Sequence, residues 1–245
     1  MPQSEGFPDW PEPASGGVSR PAVWLNCAMS LDGKLAYSGG KKALLSGPED
    51  MARVQRLRAT ADAILIGAGT VRLDDPSLRI HWELIEKEEL PPEIDTKRTY
   101  PPMRAVFGSR HGLPPKARIL DGSMPTTIFA AKGDHTTYPS QVTVVPPTGS
   151  RVDLPSALKW LKSKGVDRLM VEGGTEVLTA FVRENLLDRM TIFVSPVLIG
   201  GSESPPFHAG EESHGPKDVV PLKLNSAEML DSGVLLTLSP SRKTK

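Results

Sequence analysis

The chain has 245 residues, long enough for one large α/β domain or two small ones around a substantial core. Lys+Arg and Asp+Glu both number 29, so no global field draws it toward nucleic acid or an anionic membrane. Cys27 is the single cysteine, which excludes an internal disulfide framework and the paired-cysteine zinc element of base deaminases. The first residues lack the basic and apolar segments of a signal peptide, and no apolar run approaches the ~18 residues of a membrane span. A soluble cytoplasmic chain is the resulting expectation, with no metal site, since His111, His135, His208 and His214 show no ligand spacing.

Prolines number 24, about twice ordinary usage, and five lie within residues 1–21. Residues 1–20 therefore read as an extended or disordered leader ahead of a single domain over 21–240. Ala22 to Met29 is an apolar run of strand length. Ser46-Gly47-Pro48-Glu49 reads as a capping box that opens a helix through Ala59, with Met51, Val54 and Leu57 as its buried stripe. Ala63 to Ile66 is a second strand, ending in Gly67-Ala68-Gly69-Thr70. After His81 comes a polar, proline-rich stretch that reads as an insertion or a lid over about 82–103. Arg104 to Phe107, Thr126 to Ala130 and Gln141 to Val145 are shorter strands. Asp153 caps a helix facing inward with Leu154, Ala157, Leu158 and Leu161, which Gly165 stops.

Arg168 to Val171 forms the next strand, breaking into Glu172-Gly173-Gly174-Thr175 and a helix from Thr175 to Leu187 with Val177, Leu178 and Phe181 inward. Beyond it the pattern is β only: Met190 to Ser195, then Leu222 to Leu230 and Gly233 to Leu238 around Asp231-Ser232. Residues 241–245 form a basic, solvated tail. Alternating strands and helices imply a mostly parallel sheet, and the terminal hairpin adds antiparallel strands on one side.

Twice, then, a buried strand ends in a glycine turn carrying threonine. Such turns let backbone amides approach a phosphate at a helix start, outside the carboxyl ends of the strands. Two of them suggest one nucleotide held between, yet neither has the G-x-G-x-x-G spacing of a Rossmann fingerprint. Met29-Ser30-Leu31-Asp32-Gly33-Lys34, a simple turn when taken alone, supplies a third polar strand end. Asp74-Asp75-Pro76 reads equally as a cap or a turn. Arg58, at a helix C-terminus, has the bland reading of a solvated dipole partner. Arg79 and His81 alternate along an extended stretch and so would share a face. Glu172 ends a buried strand, where an unpaired carboxylate is costly, so it is either exposed at a cleft or partnered. Cys27 reads as a core filler, and Trp24, Trp82 and Trp160 as packing or surface aromatics.

In combination, M-S-L-D-G-K, the run from Leu57 through G-A-G-T-V-R-L-D-D-P-S-L, V-E-G-G-T and S-P-V-L-I-G-G closely resemble the riboflavin-biosynthesis reductase family, the C-terminal half of bifunctional deaminase-reductases. The resemblance spans about Pro21 to Leu238. It implies a dihydrofolate-reductase-like, three-layer α/β/α fold and NADPH-dependent reduction of a phosphoribosylamino-pyrimidine to its ribitylamino form. Without a deaminase half, the chain is expected to be of the stand-alone archaeal and fungal type, which acts on the 2,5-diamino-pyrimidinone 5′-phosphate. The deaminated 5-amino-6-(5-phosphoribosylamino)uracil is the alternative substrate.

The resemblance assigns Ala28, Thr70, Asp74, Ser109 and the Gly173-Gly174-Thr175-Glu176-Val177 turn to NADPH, with Arg110 a further candidate for the 2′-phosphate. It assigns Asn26, Arg58, Leu78, Glu172 and one or both of Arg79 and His81 to substrate, Arg58 gripping its phosphate. Asn26 stands where bacterial members have lysine. Asp32 and Glu172 are the expected catalytic groups, Asp32 orienting the opened ribose or assisting protonation. A homodimer is expected too. A pterin or dihydrofolate reductase of the same fold, and a non-catalytic nucleotide sensor, are the rival readings.

Overall fold

The computed structural model describes residues 8–13, 20–85, 101–108, 110–209, 215 and 219–241. Most of the expected insertion (86–100), Ser109, much of the leader and the basic tail lie outside them. In chain order the elements are β1 (Ala22–Ser30), α1 (Pro48–Thr60), β2 (Ala63–Gly67), α2 (Ala68–Asp74), β3 (Met103–Phe107), β4 (Thr126–Phe129) and β5 (Val142–Val145). They continue with α3 (Leu154–Ser163), β6 (Arg168–Gly173), α4 (Thr175–Arg183), β7 (Arg189–Ser195), β8 (Leu222–Leu230) and β9 (Gly233–Pro240).

The strands form one nine-stranded sheet in the order β5-β4-β3-β2-β6-β1-β7-β9-β8. Pairings from β5 through to β7 are parallel, and β9 runs antiparallel to both β7 and β8. Central strands are apolar on both faces because both are covered. Val23, Leu25, Leu65, Leu169 and Val171 point to the layer of α3 and α4, whereas Trp24, Ile64, Ile66 and Met170 point to that of α1 and α2. This is the expected three-layer α/β/α arrangement with an antiparallel C-terminal hairpin.

Local signals set α3 as expected. Asp153 Oδ2 accepts from the Ser156 amide at 2.9 Å, and Gly165, at φ +83°, turns the chain out of the helix. In α4 the same exit comes earlier than the expected Leu187. Asn185 adopts φ +53°, and the Leu186 amide bonds back to the Phe181 carbonyl at 2.9 Å, closing the helix at Arg183. The first glycine turn is itself helical, since Ala68–Asp74 forms α2.

Two expectations for α1 are corrected. Met51 is 47% exposed and Val54 only half-buried, while Asp50, Gln55 and Leu57 turn inward, because this helix borders a polar cleft rather than a uniform apolar core. Nor does Ser46 cap it. The cap is Gly47, and Asp231, from the β8–β9 turn, receives the Glu49 and Asp50 amides at 3.1 and 2.9 Å. Glu49 Oε2 accepts in return from the Asp231 amide at 3.3 Å. This is the reciprocity of a capping box, with its cap supplied from a distant hairpin. A Cβ on Gly47 would come within 2.4 Å of the Asp231 carboxyl carbon, so that close approach requires glycine.

The leader also departs from a free arm over residues 8–13. Trp10 packs edge-on against Trp24 with centroids 5.4 Å apart, and its indole N–H donates to Thr60 Oγ1 at 2.8 Å. Arg189 stacks on the Trp24 ring at 4.7 Å and donates to the Asp9 carbonyl.

Asp231→Ala removes the carboxylate from the α1 amides and places alanine at φ +48°, which it tolerates less well than aspartate. The expected loss is about 1–2 kcal/mol, measured as a lower urea midpoint at unchanged slope.

Candidate active site

The connection after β2 leads to β3 on one side, whereas the connection after β6 leads toward β7 on the other. At such a reversal the chain diverges above the sheet and leaves a crevice outside the carboxyl ends of the strands. A cleft of about 330 Å³ opens there, bordered by Arg58 of α1, Ile66 of β2, Thr70 and Asp74 of α2, and Glu172 of β6. Pro76, Ser77, Leu78 and His81 form its next wall, and Lys42 and Arg118 complete the rim.

Its central feature is an ion pair. Arg58 Nε and Nη2 donate to the two Glu172 carboxylate oxygens at 2.6 and 2.7 Å, both side chains being about 15% exposed. Burial disfavours the guanidinium charge, but the Glu172 carboxylate outweighs it and holds Arg58 firmly protonated. Arg58 Nη1 also donates to the Arg79 carbonyl at 3.2 Å, tying the cleft wall to the same cation. Glu172 thus meets both conditions expected of it: it reaches the cleft, and it is partnered.

The two glycine turns converge on this cleft. Gly67 lies so close to α4 that a Cβ there would sit 3.0 Å from Val177 Cγ2, and one on Gly174 would sit 3.0 Å from Thr70 Oγ1. Gly173 has φ +112°, a conformation only glycine adopts easily. The first turn of α4 receives no side-chain cap, and Glu176 points to solvent, so the amides that start the helix are clear of that carboxylate. The Val177 side chain belongs to the core, leaving only its backbone for a ligand.

Of the expected site residues, Arg58, Thr70, Asp74, Leu78, His81 and Glu172 meet at the cleft. Others do not. Asn26 is buried, its amide oxygen receiving Arg53 Nη2 at 2.7 Å and Thr191 Oγ1 at 2.8 Å. Arg53 is held in turn by Asp50 at 2.8 Å. A cation thus reaches Asn26 from the neighbouring helix, as Arg53. Beside this network Cys27 fills the opposite core face, its thiol pushed up to about 12 by burial.

Arg79 and His81 do not share a face. Residues 79–81 form no strand, and His81 itself departs from extended geometry at φ −92°, ψ 84°, so strand alternation does not apply. Arg79 leaves the cleft for Asp121 at 2.8 Å, while the His81 amide donates to Gln55 Oε1 at 2.9 Å. Burial raises the Asp121 carboxyl, but Ser123 and Arg104 outweigh it and hold it far below the usual carboxylate range. Arg110 is exposed beside His111, and neither it nor Ala28 lines the cleft.

Asp32, the other group expected to be catalytic, lies in the turn that follows β1. Its carboxylate accepts from Ser30 Oγ at 2.6 Å and from the Ile199 and Gly200 amides at 3.1 and 2.7 Å, and it does not line the cleft. It is the clasp between M-S-L-D-G-K and S-P-V-L-I-G-G. Those hydrogen bonds, led by the one from Ser30, bring its pKa down to about 2. Lys42 and Arg118 lie in segments without periodicity or motif, and Ser77, though inside the D-D-P-S-L run, carries no residue-level signal of its own; none of the three is an expected site residue.

Among the described residues no cluster of metal-ligating side chains occurs, and no helix is long and apolar enough to cross a membrane.

Because the Asp32 pKa lies below its ordinary value of 3.8, the clasp is complete above that pH and is lost as pH falls through about 2. Asp32→Asn is expected to speed hydrogen exchange at the Ile199 and Gly200 amides at neutral pH and to remove its acid dependence. Unchanged protection would refute the clasp.

Comparison with known proteins agrees with this geometry. The profile of the RibD C-terminal domain matches residues 21–236. The chain is 39% identical over 197 residues to the 2,5-diamino-6-ribosylamino-4(3H)-pyrimidinone 5′-phosphate reductase of Archaeoglobus fulgidus, covering 78% of this chain and 88% of that one. It is 32% identical over 221 residues to the protein of the same name from Methanothermobacter thermautotrophicus, covering 89% and 97% respectively. The structure of Acinetobacter baumannii RibD superposes with a TM-score of 0.74 at 25% identity, over 91% of this chain and 59% of that longer one. With the fold, the cleft and these relatives in accord, the chain belongs to the RibD C-terminal domain family of riboflavin-biosynthesis reductases.

Proposed function

We propose that this chain uses NADPH to reduce 2,5-diamino-6-ribosylamino-4(3H)-pyrimidinone 5′-phosphate to its ribitylamino product. The observation that carries the reading is the Arg58–Glu172 pair set at the mouth of the β2–β6 crevice, in a chain that spans nearly the full length of relatives named for this reaction. The reaction opens the ribosylamine to an imine, delivers a hydride to C1′ and a proton to nitrogen. It needs positioning and placed charge rather than a protein nucleophile.

The residues fit a dinucleotide. The uncapped first turn of α4, from Gly174 through Val177, offers backbone amides to pyrophosphate oxygens, and Gly173 and Gly174 leave room for close approach. Thr70, Asp74, Ala28 and Ser109 complete this side in the reading, with Arg110 toward the 2′-phosphate. NADPH, when bound, supplies the hydride. On the substrate side Glu172 accepts from amino or hydroxyl groups, and Leu78 and His81 close the wall. Arg58 holds both carboxylate oxygens of Glu172 and so fixes its orientation.

A homodimer in the cytoplasm completes the proposal. What supports the dimer is the edge strand β8, where Leu224 and Met229 are 56% and 76% exposed beside unpaired backbone groups.

Loss of NADPH absorbance on adding either pyrimidine tests the reading. The diamino compound is expected to have a kcat/KM at least about tenfold above that of its deaminated counterpart. Faster turnover of the deaminated compound would reverse the substrate assignment. NADPH binding without consumption would identify a sensor instead.

A further inference from the structure

Four basic side chains border the cleft: Lys42, Arg58, His81 and Arg118. Three of them already face an acid. Arg58 is bound through Nε and Nη2 by Glu172, and His81 Nδ1 lies 2.9 Å from Glu83 Oε1. Lys42 acts on Asp74, whose carboxyl is raised by burial and partly drawn back by that lysine. Arg118 differs. Its backbone N–H donates to Asp75 Oδ1 at 2.8 Å, but among the described residues its guanidinium makes no hydrogen bond or ion pair.

The surroundings of Arg118 show why the side chain is free while its position is set. It opens the 3₁₀ turn Arg118–Leu120, between buried Ala117 and Ile119. Its amide is fixed by Asp75, which is itself held at φ +41° at the end of α2. The backbone is therefore anchored on both sides, and Arg118 borders the cleft with no acidic partner for its guanidinium among the described residues. In the unliganded site the Arg58 fork is saturated by a carboxylate, so a phosphate arriving there would compete with Glu172. At Arg118 it displaces no carboxylate of the described residues, and the planar fork matches a phosphate in two hydrogen bonds.

We infer that Arg118 binds the 5′-phosphate of the substrate and sets the requirement for a phosphorylated ligand. This rests on the reductase reading above, in which the substrate is a ribosyl 5′-phosphate. Arg58 then serves mainly to hold Glu172, and the two arginines divide the tasks that sequence reading gave to one.

Arg118→Ala and Arg118→Lys test this, each with the phosphorylated pyrimidine and with the nucleoside lacking its phosphate. Arg118→Ala is expected to raise KM for the phosphorylated form about ten- to a hundredfold, with kcat little changed and the nucleoside unaffected. Arg118→Lys restores part of the loss. Calorimetric titration with ribose 5-phosphate is expected to show binding to the wild type that falls by a similar factor in Arg118→Ala.

An unchanged preference for the phosphorylated form in Arg118→Ala would overturn the proposal. So would a narrowed NADPH/NADH ratio with that preference intact, which would give the cation to the cofactor. If the wild type turns over neither pyrimidine, the reductase reading fails. Ribose 5-phosphate binding that depends on Arg118 would still support the phosphate site in that case.

Discussion

The cleft depends on one constraint: Glu172 follows three wholly buried residues, Leu169 to Val171, near the end of its strand, and its charge requires a partner there. Arg58 supplies it from α1, reaching across the end of β2, and the pair joins elements that are far apart in sequence. Removing either partner strands the other in a poorly hydrated place, a larger disturbance than the modest net worth of the bridge itself. The same arginine holds the Arg79 carbonyl, so the wall that leads from Leu78 to His81 is registered against the pair. Gln55, one turn earlier on α1, adds a second tie to that wall through the His81 amide.

Helix α1 is accordingly braced at both ends. Asp231 holds its start from the terminal hairpin, and Trp10 holds its last residue, Thr60, from the leader. Along its inner side Asp50 and Arg53 run a polar network to Asn26 and Thr191 on the sheet. Such a network, with its partners satisfied, fixes a helix in one rotation where an apolar face would allow sliding. The segments that carry the family resemblance are bonded to one another in the same way. Asp32 clasps the 195–201 loop, the Leu31 amide donates to the Val197 carbonyl at 2.8 Å, and Thr175 Oγ1 reaches the Pro206 carbonyl at 2.7 Å.

Much of this was legible in the sequence, and the limit falls along the line between local and distant interactions. Runs such as Ile64-Leu65-Ile66 and the spacing of Leu154, Ala157, Leu158 and Leu161 announce buried strands and a one-sided helix, because period and burial are local properties. The cap by Asp153 is equally local. The cap by Asp231 is not, and a plausible Ser46 stood nearer in sequence to mislead. Arg79 and His81 separate because distant partners hold them apart, Asp121 taking the Arg79 guanidinium and Gln55 the His81 amide, and neither contact is local in sequence. Arg58 and Glu172 were each singled out, but as two contacts to a ligand. Their pairing with one another is visible only once β6 and α1 are placed together. Arg118 carries no local signal, since its place on the cleft rim follows from the long-range tie of its amide to Asp75.

Arg58 and Glu172 act as one unit that shapes the cleft for ligand. The most direct test is a double-mutant cycle with Arg58→Met and Glu172→Gln, read in kcat/KM for NADPH oxidation with the diamino pyrimidine phosphate. Strong non-additivity is expected, the double variant being no worse than the poorer single one, because either change already dissolves the unit. Losses that simply multiply would instead show two independent groups.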